Sequence, residues 1–76
     1  MTLGIMVAER LEAVSMGGFD ISTISKEAFN IYQDPDFSLT KDLDVVLLSL
    51  IAIDEGPEFE ITEEEFQDLL SEIRQM

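Results

Sequence analysis

Oxygen-bearing side chains stand at every second position between residues 34 and 42. They are Asp34, Asp36, Ser38, Thr40 and Asp42. Carboxylate and hydroxyl oxygens at alternate positions are ligands that hard divalent cations such as calcium bind. A second acid-rich segment, from Asp54 to Glu65, holds seven acids and no basic residue. Both segments are therefore candidate cation sites, with Asp34, Asp36, Asp54 and Glu65 as the candidate ligands.

The first segment resembles the calcium-binding loop of EF-hand proteins, which supplies ligands from alternate positions. It departs from that loop at Leu39, where a glycine makes the sharp turn, and at Val45, where a glutamate binds the ion with both oxygens. In the second segment Glu65 stands at the position of that glutamate, but Phe59 occupies the glycine position. We therefore expect no metal site, and the first segment is interpreted as a helix-capping loop rich in Asp and Ser. Weak, non-selective cation binding rather than a calcium sensor is the alternative.

The run Leu43-Asp44-Val45-Val46-Leu47, which an acidic segment follows, resembles the start of the second helix of acyl carrier proteins. That family carries phosphopantetheine on the serine of an Asp-Ser-Leu motif. The matching tripeptide here is Lys41-Asp42-Leu43, which has no serine. The resemblance therefore implies a carrier-like helical shape without the cofactor, and we expect no cofactor of any kind.

Several classes of catalytic chemistry are excluded by residue types that the chain lacks. It has no cysteine and no histidine, so disulfides, thiolate or imidazole metal sites and the common catalysis by these groups are absent. A serine or threonine nucleophile would need a basic partner, and Lys26 and Lys41 are both on predicted solvated faces. A pair of catalytic carboxylates needs a sheltered cleft, for which 76 residues leave little volume. We predict that the protein is not an enzyme.

The charge of the chain is strongly negative and unevenly distributed. The formal net charge is -13, and residues 34–76 hold thirteen acids and two bases. Nucleic acids and anionic membranes are therefore poor partners, because binding either requires positive side chains. We predict instead a protein partner with a basic surface, although a charged face that only prevents aggregation is the alternative. The predicted partner-binding residues are Asp54, Glu55, Glu58, Glu60, Glu63, Glu64, Asp68 and Glu72.

The apolar content is high enough for a folded domain. Apolar residues make up 46% of the chain, which argues against intrinsic disorder despite the net charge. The length predicts a single small domain over residues 1–76. Its longest apolar run is far shorter than the roughly 20 residues of a membrane helix. With no targeting signal visible, we expect a cytoplasmic protein.

Apolar periodicity predicts an all-α fold, a compact arrangement of four helices. Their expected ranges are about 3–15, 23–34, 41–55 and 62–75. Ser22 or Thr23 is the expected N-cap of the second helix. Gly4 is expected to weaken the first turn of the first helix by up to about 1 kcal/mol relative to alanine.

The third predicted helix contains the most apolar stretch of the chain, Val45 to Ile53, in which eight of nine residues are apolar. A buried strand over 45–53, in an α+β fold, is the alternative. A cap at Thr40 and the stop signal of Gly56 and Pro57 favour the helix. We expect this helix to be the most buried of the four. Any part of the stretch left exposed would make the protein a homodimer.

The segment before the last helix combines two local signals. Phe59 and Ile61 alternate with glutamates, which predicts an extended linker that buries both apolar side chains. Thr62 and Glu65 then form the pattern of a capping box, which predicts the start of the last helix.

Overall fold

The chain forms four α-helices and one short 3-10 turn in the computed structural model, which describes residues 2–76. They are α1 (Leu3–Ser15), α2 (Ile21–Gln33), α3 (Lys41–Ala52), the 3-10 turn (Pro57–Phe59) and α4 (Glu63–Arg74). No strand forms within the described residues, so the all-α prediction is confirmed and 45–53 is helical up to Ala52. None of these helices has the length and apolar composition required to cross a bilayer.

Each α-helix begins after a residue whose side chain accepts a hydrogen bond from a backbone N–H of the first turn. These N-caps are Thr2, Asp20, Thr40 and Thr62. Such caps satisfy N–H groups that have no partner inside the helix. α2 starts two residues earlier than predicted, because Asp20 rather than Ser22 or Thr23 is the cap. Its carboxylate accepts the N–H of Ser22 at 3.0 Å.

α3 ends at Ala52 and not at residue 55, the predicted end. The N–H of Ile53 bonds to the carbonyl of Leu50 at 3.4 Å, and that of Glu55 to the carbonyl of Ala52 at 3.0 Å. These bonds span three residues and therefore form tight turns instead of a further α-helical turn. Asp54 and Glu55 consequently lie in a turn outside the helix.

The core contains apolar side chains from all four helices. Its thirteen buried members are Val7, Ala8, Leu11, Ile24, Ala28, Ile31, Leu43, Leu47, Leu50, Ile53, Phe66, Leu70 and Ile73. α1 packs against both α2 and α4, and α2 packs against α3. The ring of Phe66 lies 5.8 Å from that of Phe19, centroid to centroid. The Ser25 hydroxyl donates to the carbonyl of Ile51 at 2.7 Å and links α2 to α3.

The apolar stretch of α3 is buried on one side of the helix only. Leu43 and Leu47 are fully buried, whereas Val45 is 54% exposed and Leu48 is 46% exposed. One helix of a small bundle can turn only part of its circumference toward the core, so apolar residues on the far side remain in solvent. This exposed face is where the predicted homodimer would form, and dimerisation stays a prediction.

The start of α4 is the predicted capping box. The hydroxyl of Thr62 accepts the N–H of Glu65 at 3.1 Å, and the carboxylate of Glu65 accepts the N–H of Thr62 at 2.9 Å. Both bonds hold the first turn of the helix that carries Phe66 into the core.

We expect Thr62→Ala to lower the free energy of unfolding by about 1 kcal/mol, because an N–H of the first turn loses its acceptor. Urea denaturation followed by circular dichroism measures the change. Thr23→Ala, the same substitution inside α2, is the control and should be close to neutral. Equal losses at both positions would contradict a specific role for the cap.

Candidate functional site

The sequence-predicted partner-binding site consists of eight acidic residues, which we call the acidic surface. They are Asp54, Glu55, Glu58, Glu60, Glu63, Glu64, Asp68 and Glu72, and all eight are exposed. They come from the turn after α3, the segment around the 3-10 turn, and α4. Within residues 2–76 none of the eight forms an ion pair.

Both arginines are paired with acids outside the acidic surface. Arg10 lies 2.8 Å from the carboxylate of Glu27 and 3.5 Å from that of Asp34. Arg74 lies 3.1 Å from the carboxylate of Glu12. These pairs join α1 to α2 and α4 to α1, so the arginines have a structural role. In the described chain they leave the acidic surface without a neutralising partner.

Part of the acidic surface also serves the fold. Glu63 and Glu64 stand in the first turn of α4, where the helix dipole favours negative charge. Glu58, Glu60 and the later acids of α4, Asp68 and Glu72, do not lie in the first turn of an α-helix. The charge of these latter residues is therefore not explained by helix stability.

An open groove of about 510 Å³ lies next to the acidic surface, between the end of α3, the segment after it and α4. Its apolar lining consists of Leu50, Ala52, Ile53, Phe59, Ile61 and Leu69. Leu50 and Ile53 are only 1% and 3% exposed, so the groove reaches down to the core. Glu58 and Glu60 also line it and bring carboxylates to its edge.

The groove could not be predicted from the sequence, because the segment before α4 is not the extended linker that the alternation predicts. The N–H of Phe59 bonds to the carbonyl of Gly56 at 3.0 Å, and that of Glu60 to the carbonyl of Pro57 at 3.3 Å. The result is a 3-10 turn rather than an extended segment, and it breaks the alternation of buried and exposed positions. Ile61 is partly buried as expected, but Phe59 is 47% exposed. The proline at the start of the turn was the available signal for it.

The four candidate cation ligands are not assembled into a metal-binding group. Asp34 accepts the N–H of Asp36 at 2.9 Å and faces Arg10, while Glu65 is engaged in the capping box. Asp54 lies in the turn that follows α3. Across residues 2–76 no three acidic side chains converge in a way that could hold a metal ion. Weak cation binding stays a prediction without support from this geometry.

The segment that resembles acyl carrier proteins forms the beginning of α3, with Thr40 as its cap and Leu43 buried. Asp42, at the position of the missing serine, is exposed in the first turn. Comparisons with protein-family models, with curated proteins and with solved structures found no match to the chain. The acidic surface and the adjoining groove are therefore the observations from which a function can be argued.

Proposed function

We propose that the protein is a small, non-catalytic interaction module that binds a basic surface of another protein through its acidic surface. The observation that carries the proposal is the absence of internal neutralisation. Eight exposed acids have no ion-pair partner within residues 2–76, and both arginines of the chain pair with other acids. A basic partner would supply the missing opposite charge.

Charge on one face acts mainly on the rate and selectivity of association. A cluster of like charges attracts a partner of opposite sign before contact and accelerates encounter. It also opposes approach of acidic proteins, nucleic acids and anionic membranes. The attraction weakens as salt rises, because the screening length falls from about 10 Å at 0.1 M to about 3 Å at 1 M salt.

A charged face that only prevents aggregation would behave differently. That role depends on net charge and not on where the charges lie. A docking role depends on position. Two variants with the same net charge, altered in different places, therefore distinguish the two roles.

The first variant, Glu58→Gln/Glu60→Gln/Asp68→Asn, removes charge from the acidic surface. The control, Glu9→Gln/Asp36→Asn/Asp42→Asn, removes the same charge from exposed acids elsewhere. Each immobilised protein is used to capture partners from a lysate at low salt, and bound proteins are identified and quantified by mass spectrometry. We expect a basic partner that the natural sequence captures to be reduced at least about tenfold by the first variant only, a loss of about 1.4 kcal/mol.

The captured partner should also elute as NaCl is raised. Circular dichroism must show that both variants are folded. Two results would contradict the proposal. The first is that both variants capture the partner equally well, whether or not capture is reduced relative to the natural sequence; the second is capture that does not weaken as salt is raised.

A further inference from the structure

We infer that the groove beside the acidic surface binds the apolar side chain of a cationic peptide segment, one large apolar residue flanked by lysines or arginines. This inference rests on the proposed function, because it names the part of the basic partner that makes the central contact. It predicts that charge alone is insufficient for full affinity.

The shape of the groove supports an apolar anchor. Its volume of about 510 Å³ lies within the range of about 300–1,000 Å³ of pockets that bury small ligands. Leu50 and Ile53 are part of the core, so a side chain inserted there would extend the packed interior. Phe59 stands half exposed beside them and would lose that exposure on binding. Burial of apolar surface on both sides is favourable.

The charge around the groove determines what must flank the anchor. Glu58 and Glu60 line the groove and stand on either side of Phe59 in the chain. Both are exposed and without an ion-pair partner in the described part of the protein. A peptide segment that occupies the groove therefore lies next to two unpaired carboxylates and in a region of negative potential. Lysine or arginine next to the anchor complements this potential.

Other occupants fit less well. A second copy of this chain also carries a net charge of -13, so its approach to the glutamates at the edge would be repulsive. Anionic lipid has the same sign and the same disadvantage. A neutral apolar molecule would fill the groove but gain nothing from its charged edge.

Three synthetic peptides separate the contributions of anchor and charge. The first is Lys-Lys-Lys-Trp-Lys-Lys-Lys, the second replaces its tryptophan by serine, and the third replaces its lysines by serine. Binding of fluorescently labelled peptides to the full chain is followed by anisotropy at low and high salt. We expect the first to bind about tenfold more tightly than the second, since one good anchor contributes about that factor. The third should bind more weakly than the first.

Two matched variants test whether the tryptophan of the peptide binds in the groove. Phe59→Ala removes a wall of the groove, and Phe29→Ala removes a phenylalanine of similar exposure, 50% against 47%, that does not line it. We expect Phe59→Ala to abolish the preference for tryptophan over serine and to leave the charge-dependent binding of the serine peptide unchanged. Phe29→Ala should leave both unchanged. Because both residues are half exposed, neither change threatens the fold.

The outcomes also separate this inference from the proposed function. Equal affinity for the tryptophan and serine peptides overturns the anchor but leaves charge-driven docking in place. Failure of both lysine peptides to bind overturns the inference and counts against the proposed function as well. Equal binding of the neutral peptide and the first peptide shows an apolar ligand instead of a cationic one. A dimer in sedimentation equilibrium that Phe59→Ala dissociates shows that a second copy fills the groove, and also overturns the inference.

Discussion

Replacing Phe66 by alanine is expected to leave the chain largely unfolded in the absence of denaturant. Phe66 is the largest fully buried side chain, and its ring packs against Phe19 in the core. Truncation of a buried phenylalanine costs about 3–5 kcal/mol, since the transfer energy is lost and a cavity remains. A single core in a chain of this size supplies a total stability of about 3–5 kcal/mol, so the loss is comparable with the whole.

Far-ultraviolet circular dichroism and a urea titration measure this effect. The expected result is loss of most helical signal, or a transition shifted close to zero urea. Phe59→Ala is the control, because the same atoms are removed from a side chain that is 47% exposed; its cost should stay below about 1 kcal/mol. A Phe66→Ala protein with nearly the original stability would show that α4 is not part of the cooperative core.

Replacing Gly4 by alanine is expected to destabilise the protein, against the direction that helix propensity predicts. Propensity alone favours alanine by about 1 kcal/mol inside a helix. In the folded chain Gly4 is buried, and a Cβ there would overlap the carbonyl oxygen of Ile73 and lie 3.0 Å from the main-chain carbon C of Met76. Both obstacles are backbone atoms, so no side-chain rotation relieves them. α1 and the end of α4 must separate, at a cost of about 1–3 kcal/mol.

The matched control for this prediction is Gly17→Ala, which follows the end of α1. A Cβ at Gly17 meets nothing within 4 Å, so this variant should be neutral within about 0.5 kcal/mol. Thermal and urea denaturation compare the two. If Gly4→Ala is as stable as the natural sequence or more so, the close approach of α1 to α4 is not the reason for this glycine.

These predictions separate the stability of the protein from its proposed binding role. α4 contributes to both, but from different faces: Phe66 and Leu70 point into the core, whereas Asp68 and Glu72 are exposed. Substitutions on the inner face should lower the free energy of unfolding. They should reduce binding only to the extent that the protein unfolds. Changes on the outer face should alter binding with the helix intact.

Local features of the fold could be predicted from the sequence. The four helices follow from apolar spacing, α1 occupies its predicted range, and the capping box of Thr62 and Glu65 forms as expected. The exposure of the eight acids was equally predictable, because ionised carboxylates remain in water unless they are paired. All of these depend on interactions within a few residues, or on hydration.

Features that depend on contact between distant segments could not be predicted. The sequence suggested that Gly4 only weakens a helix, whereas the fold brings the backbone of Ile73 against it. It also suggested that Phe59 is buried, whereas the 3-10 turn leaves the ring beside the core and opens the groove. Periodicity indicates which residues are apolar along one element, but not which side of that element another segment covers. That choice is made by the packing of the whole chain, and here it decided where the groove opens beside the acidic surface.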